Sequence, residues 1–199
     1  MKKNTFVLIF VLSFALLVNA QNRESSKFSL GVKAGVNISN VKASGEGISV
    51  SYSSLTRFVG GIYGEYKFSE VLGIQPELLY NGVGAKNSGV KDEFGYLSLP
   101  ILLKYSIPNT GLGIYAGPQV SLALSAKEKI DSIGTNTDMK SEMKSSEFSG
   151  IVGVDYTFSF GAIISARYQL GFSNFAKNIP SGYSMKNNAF GITVGYKIR

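Results

Sequence analysis

Two neighbouring runs of alternating apolar and polar residues constrain the fold of this chain most strongly. In the first run, Val71 to Val83, the apolar side carries Leu72, Ile74, Leu78 and Tyr80, and the other side carries Gly73, Gln75, Glu77 and Asn81. In the second run, Phe94 to Tyr105, the apolar side carries Leu97, Leu99, Ile101, Leu103 and Tyr105. A period of two is that of a β-strand whose two faces meet different surroundings. Each run is about twelve residues long, whereas strands of globular proteins usually have about five or six residues. The pair therefore predicts a hairpin of two strands long enough to cross a membrane at a tilt.

Similar alternation elsewhere predicts eight strands in all, from Phe28 to Ile198. The connections alternate between long and short, and the long ones are predicted as polar loops over Asn40 to Leu55, Gly84 to Glu93, Ser125 to Glu147 and Ser173 to Lys186. In an up-and-down arrangement every long loop then falls at one end and every short turn at the other. Transmembrane barrels have this asymmetry. The predicted fold class is all-β, an eight-stranded antiparallel up-and-down transmembrane β-barrel.

The first twenty residues have the pattern of a secretory signal peptide. Lys2 and Lys3 precede an apolar run from Phe6 to Val18, and small residues lead to Ala20 before a polar segment. This order of basic, apolar and small residues is typical of a cleaved signal peptide. We expect cleavage after Ala20, with a signal peptide over residues 1–20 and one barrel domain over residues 21–199. A retained membrane anchor is the alternative.

The residue types present restrict the chemistry that we expect. The chain contains no cysteine and no histidine, so a disulfide framework, a thiol nucleophile and the commonest general base and metal ligand are all excluded. We expect no catalytic site, no cofactor and no metal, and a membrane-embedded enzyme of the lipid-acyltransferase or protease kind is the alternative. Removal of Lys2 and Lys3 lowers the formal net charge from +7 to +5. This charge is spread along the chain and does not form the basic patch that is typical of nucleic-acid-binding proteins.

The apolar face of each strand is predicted to point outward into lipid. The opposite face is rich in Gly, Ser, Ala, Asn and Gln, which suits the cramped interior of a barrel of eight strands. Aromatic residues of the apolar face are expected to form a girdle at each water interface. The ring at the short-turn end comprises Phe28, Tyr66, Phe68, Tyr105, Tyr156 and Tyr196, and the ring at the long-loop end comprises Phe58, Tyr80, Phe148, Phe172 and Phe190. A soluble periplasmic lipocalin-like barrel, with its apolar face inward around a ligand, is the alternative.

With this orientation the charged residues of the strands face the interior. The predicted interior polar network comprises Lys33, Glu65, Lys67, Gln75, Glu77, Lys104, Asp155, Arg167 and Lys197. Because an enclosed charge must be paired or hydrated, we expect Glu77 and Arg167 to share one cluster with Lys33 or Gln75. We expect Glu65 and Asp155 to meet lysines nearer the short turns. The network is predicted to be a plug that closes the barrel, with a proton or ion path as the alternative.

Three prolines fall at nearly the same height on adjacent predicted strands. They are Pro76, Pro100 and Pro118. Proline cannot donate a hydrogen bond to the strand ladder and is normally confined to edges and bulges. A closed barrel has no edge, so we expect bulges or a local pairing defect at this belt.

Several segments together resemble the PorT-like outer-membrane β-barrel proteins of Bacteroidetes. They are Gln75-Pro76-Glu77-Leu78, Tyr96-Leu97-Ser98-Leu99-Pro100, Ala116-Gly117-Pro118, Ala166-Arg167-Tyr168 and Gly171-Phe172. The resemblance covers essentially the whole mature chain. It implies an outer-membrane location with lipid as the surroundings and no assigned activity for most members.

The founding member of that family is linked to a protein secretion and maturation pathway. Fold alone does not transfer this role. We therefore expect a small, non-enzymatic structural or interaction protein. An accessory component of a secretion or transport machinery, with a secretion or surface protein as its partner, is the alternative. The barrel assembly machinery is expected to recognise the last strand through Tyr196, since the chain departs from the common terminal aromatic residue by ending in Arg199.

Overall fold

The computed structural model describes residues 27–45, 48–51, 53–87, 90–130, 135–177 and 182–198. The predicted signal peptide, residues 1–20, lies outside the described residues. Within the described part, no helix combines the length and the apolar character needed to cross a membrane.

Ten strands of the described residues form one antiparallel sheet. They are β1 (Phe28–Gly45), β2 (Ile48–Ser51), β3 (Ser53–Lys67), β4 (Leu72–Asn87), β5 (Val90–Ser106), β6 (Leu112–Ile130), β7 (Thr135–Asp138), β8 (Ser146–Thr157), β9 (Ala162–Gly171) and β10 (Ser184–Lys197). Eight of them are long and follow one another around the sheet. The short strands β2 and β7 only extend it, β2 beside β1 and β7 beside β6.

Pairing between the first and last strands closes the sheet into a barrel. β1 pairs with β10 from Gly31 opposite Lys197 to Ser44 opposite Ser184, and on its other side β1 pairs with β3. Each remaining long strand pairs with its neighbours in chain order. The predicted eight-stranded up-and-down β-barrel is confirmed.

The apolar face of the strands points away from the barrel axis. Leu103 and Val194 are 58% and 60% exposed, whereas Lys104 and Thr193 beside them are buried. All residues of the two predicted aromatic rings lie on this outward face, exposed except for the partly buried Phe28. A lipocalin-like barrel has the reverse arrangement, with the apolar face lining a central cavity. The geometry therefore favours lipid around the barrel and argues against the soluble alternative.

Three of the four predicted long loops are largely strand where the structure describes them, so this part of the sequence interpretation was wrong, whereas the predicted loop Ser173 to Lys186 enters β10 only at Ser184. β4 and β5 continue through the predicted loop Gly84 to Glu93, with Ala85 opposite Asp92 and Lys86 opposite Lys91. In the same way β6 extends to Ile130 and pairs with β7. β1 extends to Gly45 and pairs with β2. The strands thus project as ribbons beyond the aromatic ring, and we call this the outer end of the barrel. The end with the short turns is the inner end.

The proline belt has the predicted pairing defect without a bulge. The β4–β5 ladder omits the pairs at Glu77 and Leu78 opposite Leu99 and Pro100, and the register is the same on both sides of the gap. Corresponding gaps occur toward β3 at Pro76 and toward β5 at Pro118. Each proline keeps its pairing with the following strand. The gap therefore lies on the side where the missing N–H would have donated.

The outward face gives the first test. Val194→Arg, near the middle of the apolar band, is expected to lower the free energy of unfolding by about 2 to 4 kcal/mol because it places a cation in hydrocarbon. Ile198→Arg, which lies beyond Tyr196 at the inner rim, serves as the matched control and is expected to have little effect. Urea titration in lipid vesicles measures both values. Equal stability of the two variants would contradict lipid contact at Val194.

Candidate functional site: the filled lumen and the outer ribbons

A charged cluster fills the middle of the lumen. Glu77 on β4 accepts a hydrogen bond from Lys33 on β1, with 2.6 Å between Nζ and Oε1. It also accepts one from Arg167 on β9, with 2.9 Å between Nη1 and Oε2. Gln75 donates a third, with 2.7 Å from its Nε2 to Oε1. The structure thus brings Glu77 and Arg167 together with both Lys33 and Gln75, whereas the sequence predicted one or the other of these two as the third member.

Burial and a neighbouring aromatic ring also affect the charges of this cluster. The Glu77 side chain is fully buried, so its two cationic partners replace the water that would otherwise solvate it. The Lys33 ammonium lies 5.3 Å from the ring centre of Tyr63, at cation–π distance. Tyr63 lies opposite Gly31 in the β1–β3 ladder, where a side chain on residue 31 would collide with its ring.

A belt of amides and hydroxyls crosses the lumen on the outer side of the cluster. Asn37 donates to Asn81 at 2.6 Å, and Asn81 donates to Gln169 at 3.1 Å. Gln119 donates to the same Gln169 oxygen at 3.2 Å and to Ser121 at 3.1 Å. These side chains come from four strands and tie opposite walls together. Sequence reasoning placed them on the inward face but did not pair them.

A second group of charges lies toward the inner end. Lys104 contacts Asp155 at 2.7 Å and Glu65 at 3.7 Å, and Lys67 lies 3.9 Å from Glu65. This is the grouping of acids with lysines that the sequence predicted. Lys197, the remaining predicted member, lines a cavity of about 410 Å³ at the inner mouth together with these four residues.

The outer part of the lumen is apolar, which corrects the prediction of a polar interior throughout. A buried cluster there comprises Val41, Val83, Ala85, Phe94, Tyr96, Ala126, Met143, Phe175 and Ala189. Met143 and Phe175 come from the connections before β8 and after β9, and a bridge between Met143 and Ala176 joins these connections. The ring centres of Phe94 and Phe175 are 5.3 Å apart. The cluster therefore caps the polar layers beneath it, and we call it the outer apolar cap.

Glu147 lies buried beside this cap and was assigned to a loop by sequence reasoning. Its Oε2 accepts a hydrogen bond from Asn187 at 3.1 Å, and Asn187 lies 3.4 Å from the Tyr96 hydroxyl. The other carboxylate oxygen of Glu147 has no hydrogen-bond partner among the described residues. A carboxylate held by neutral groups is less well compensated than Glu77, which has two cations.

Comparison with known proteins assigns the chain to a family. Residues 19–177 match the model of the outer membrane protein beta-barrel domain. The chain belongs to this family. The match includes the strands from β1 to β9, and the barrel is closed by β10, which lies beyond it. No curated protein matches the chain in sequence.

Solved structures show the same fold at low sequence identity. Neisserial surface protein A (NspA) has a TM-score of 0.53 and 16% identity, covering 88% of this chain and 100% of its own. Ail, the attachment invasion locus protein of Yersinia pestis, has a TM-score of 0.50 and 15% identity, covering 85% of this chain and 98% of its own. The family and the fold place this barrel in the outer membrane, in contact with lipid.

The ribbons of this outer-membrane barrel carry a further charge group beyond the aromatic ring. Glu93 on β5 contacts Arg57 at 2.6 Å and Lys129 at 3.0 Å. Burial alone would raise the pKa of Glu93, but Lys129 and Arg57 outweigh it and hold the pKa below its usual range. Burial and the facing carboxylate of Glu128 raise the pKa of Asp92 above its usual range. Two cations therefore hold the Glu93 carboxylate, whereas the carboxylates of Asp92 and Glu128 face each other on the opposite side of the ribbon.

Removing the central carboxylate tests the charged cluster. Glu77→Ala is expected to lower the free energy of unfolding by roughly 3 to 5 kcal/mol, because Lys33 and Arg167 would remain buried without their partner. Glu70→Ala, at the exposed turn between β3 and β4, is the control and should change it by less than about 0.5 kcal/mol. Urea unfolding followed by tyrosine fluorescence measures both. An unchanged free energy of unfolding for Glu77→Ala would contradict the expectation that Lys33 and Arg167 need the Glu77 carboxylate as their partner.

Removing the charge of Glu147, the poorly compensated carboxylate near the cap, is expected to stabilise the barrel, in contrast to the loss of Glu77. Glu147→Gln keeps the shape of the side chain and an oxygen for Asn187 but removes the buried charge, so it is expected to stabilise the barrel by about 1 kcal/mol. Glu147→Ala removes the oxygen and leaves space, and is expected to destabilise it. Thermal unfolding in detergent at pH 8 compares the two variants with the wild type. A Gln variant as unstable as the Ala variant would show that the carboxylate itself stabilises the structure.

Proposed function

We propose that this protein is a closed, non-conducting and non-enzymatic outer-membrane barrel that presents an interaction surface at its outer end. The observation that carries this proposal is the filling of the lumen in three successive layers. The Lys33–Glu77–Arg167 cluster occupies the middle. The amide belt and the outer apolar cap lie above it.

The narrow barrel supports a closed state. Eight strands enclose a space that side chains can fill, whereas open channels have about sixteen or more strands. The apolar cap adds a layer that hydrated ions cross only at high cost, because it offers them no polar groups to replace water. The inner cavity ends below these layers, so it is a pocket at the mouth and does not continue as a pore in the proposed state.

The outer ribbons support the interaction role. The neighbouring strands β1 and β10, β4 and β5, and β5 and β6 extend past the aromatic ring and remain paired there. Paired ribbons form a firmer surface than irregular loops, because backbone hydrogen bonds fix their conformation. A firm surface outside the membrane suits contact with other molecules at the cell surface.

The PorT-like assignment within the outer-membrane barrel family is part of this proposal. It is supported by Gln75-Pro76-Glu77-Leu78 and by the placement of its Glu77 at the centre of the lumen. It is also supported by Arg167, which reaches the same carboxylate from the segment Ala166-Arg167-Tyr168. These motif residues thus act together in holding the barrel closed.

Conductance measurement tests the closed state. The mature protein, refolded in detergent and inserted into planar lipid bilayers, is expected to give no unitary currents above the baseline at 1 M salt. A porin of sixteen strands inserted under the same conditions shows that the assay detects open channels. Folded protein is verified by its changed gel migration after boiling.

Two outcomes would overturn the proposal. Steady unitary currents through the folded wild-type barrel would contradict a closed lumen and favour the proton or ion path. Co-purification of the barrel in mild detergent as one stable large complex would instead favour an accessory component of a secretion or transport machinery. A barrel that is silent and purifies alone supports the proposed function.

A further inference from the structure

The cavity at the inner mouth of the barrel has the size and the charged lining of a small-molecule site. Its volume of about 410 Å³ falls within the range of about 300 to 1,000 Å³ that ligand pockets occupy. The turn between β5 and β6, residues 107–111, lines it, so it opens at the inner end of the barrel. Three acids and three lysines also line it: Glu65, Glu70, Asp155, Lys67, Lys104 and Lys197.

The Glu65 carboxylate lines this cavity without a hydrogen-bond donor. Its side chain is only 7% exposed. The Lys104 ammonium lies 3.7 Å from Oε2, and the Lys67 ammonium lies 3.9 Å from Oε1. Hydrogen bonds between an ammonium and a carboxylate are about 2.7 to 2.9 Å long, so both lysines attract Glu65 from beyond that distance. No other described residue donates to this carboxylate. A buried carboxylate without a donor is costly to the protein.

The cations nearby are held by other groups. Lys104 lies against Asp155, with 2.7 Å between Nζ and Oδ2, and the two cations of the central cluster both donate to Glu77. The Lys67 side chain is 40% exposed, so water solvates it. We call Glu65, Lys104 and Asp155 the floor of the cavity. The floor has two carboxylates for one ammonium, and an occupant that completes it supplies a cation.

The chemistry of the floor favours an organic ammonium over a metal ion. Calcium and magnesium need about six or more oxygen ligands, several of them from carboxylates or carbonyls. Among the described residues no group of three or more acidic, histidine or cysteine side chains could hold a metal ion. A primary ammonium has three N–H donors and can bind a single carboxylate. Glu65 alone is therefore sufficient to receive it.

The mouth of the cavity carries the opposite charge. Lys67 and Lys197 each come directly after a residue of the aromatic ring at the inner end, Tyr66 and Tyr196, on strands that run toward the mouth. Glu65 comes before Tyr66 on the same strand and so lies deeper. Positive charge therefore surrounds the entrance, and unsatisfied negative charge lies at the floor.

We propose that the inner cavity binds a small zwitterion, a molecule with a primary ammonium and a carboxylate separated by a few bonds. Its ammonium donates to Glu65, and its carboxylate lies near Lys197. β3 and β10 both pair with β1, so the backbones that carry these two residues are about 10 Å apart, which a short ligand bridges between the two side chains.

The two charges of the ligand explain its selection. A plain amine would meet the lysines of the mouth, whereas a zwitterion has no net charge and places each of its groups beside an opposite charge. The site lies below the closed layers of the lumen, at the opposite end from the outer ribbons. The inference therefore goes beyond the proposed function, and its test does not depend on conductance or on a partner at the outer end.

Calorimetric titration of the folded mature protein in an uncharged detergent tests the inference. The probes are glycine, 4-aminobutyrate and 6-aminohexanoate, which separate the two charges by increasing lengths, and at least one is expected to bind. Glu65→Gln keeps the shape of the side chain and is expected to weaken that binding at least about tenfold, because it removes the charged acceptor. Lys197→Gln is expected to weaken it about two- to fivefold, since ion pairs at an exposed mouth are weaker.

Two controls separate direct contact from a general effect of charge. Glu70→Gln removes the same charge from the exposed turn at the same mouth and is expected to bind within about twofold of the wild type. The amine and the carboxylate of matched length, butylamine and butyrate for 4-aminobutyrate, each keep one of the two charges. Both are expected to bind more weakly than the zwitterion, and the amine is expected to depend on Glu65 but not on Lys197.

Three results would overturn the inference. The first is that none of the three zwitterions binds the folded wild-type barrel. The second is an equal loss for Glu65→Gln and Glu70→Gln, which would indicate a diffuse effect of net charge. The third is an amine that binds as tightly as the matched zwitterion, which would indicate a plain cation site. Changed gel migration after boiling verifies folding, and if Glu65→Gln does not fold, Lys197→Gln and the amine comparison decide the question.

Discussion

Closure of the sheet by β1 and β10 is the constraint on which the rest of this structure depends. In hydrocarbon no water is present to satisfy backbone N–H and C=O groups, so an unpaired strand edge is not tolerated. The ladder from Gly31 opposite Lys197 to Ser44 opposite Ser184 removes that edge along the whole height of the membrane. It also extends above the aromatic ring, where water could have satisfied the backbone. Closure therefore determines both the membrane barrel and the ribbon that rises from it.

Closure with only eight strands determines the character of the interior. The inward side chains of opposite walls meet, so polar groups in the lumen can find partners on other strands. Glu77 on β4 depends on Lys33 of β1 and Arg167 of β9. Asn81 and Gln119 depend on the same Gln169. These contacts join residues far apart in sequence, and they make the lumen a polar core enclosed by an apolar surface. The usual arrangement of a globular protein is thereby reversed.

The sequence predicted the membrane part of the fold well because lipid imposes a strict alternation there. Leu72, Ile74 and Leu78 mark β4 plainly, and the outward aromatics mark its ends. Above the outer ring the outward side chains meet water, so Lys86 and Lys91 replace apolar residues and the alternation disappears. The segment from Gly84 to Glu93 then resembles a loop, although the inward positions Val83 and Ala85 still alternate.

The partners within the lumen were only partly predictable from the sequence. The charges near Glu77 were predicted because buried charges must pair. The outer apolar cap was not, because Met143 and Phe175 come from irregular segments whose positions depend on the closed barrel. Glu147 was missed for the same reason, since its burial depends on where β8 begins. A pairing defect at the three prolines was predictable from the sequence. The side on which each ladder gap falls follows from the missing N–H of proline.

The proline belt and the longest ribbon occur on the same strands. β4, β5 and β6 carry Pro76, Pro100 and Pro118 within the membrane, and above it they carry Lys86, Lys91 and Lys129. Where ladder bonds are absent, neighbouring strands shear past each other more easily. A force applied to the ribbon at its outer end is transmitted along these strands to a sector of the wall with fewer ladder hydrogen bonds. The barrel is thus mechanically uneven around its circumference.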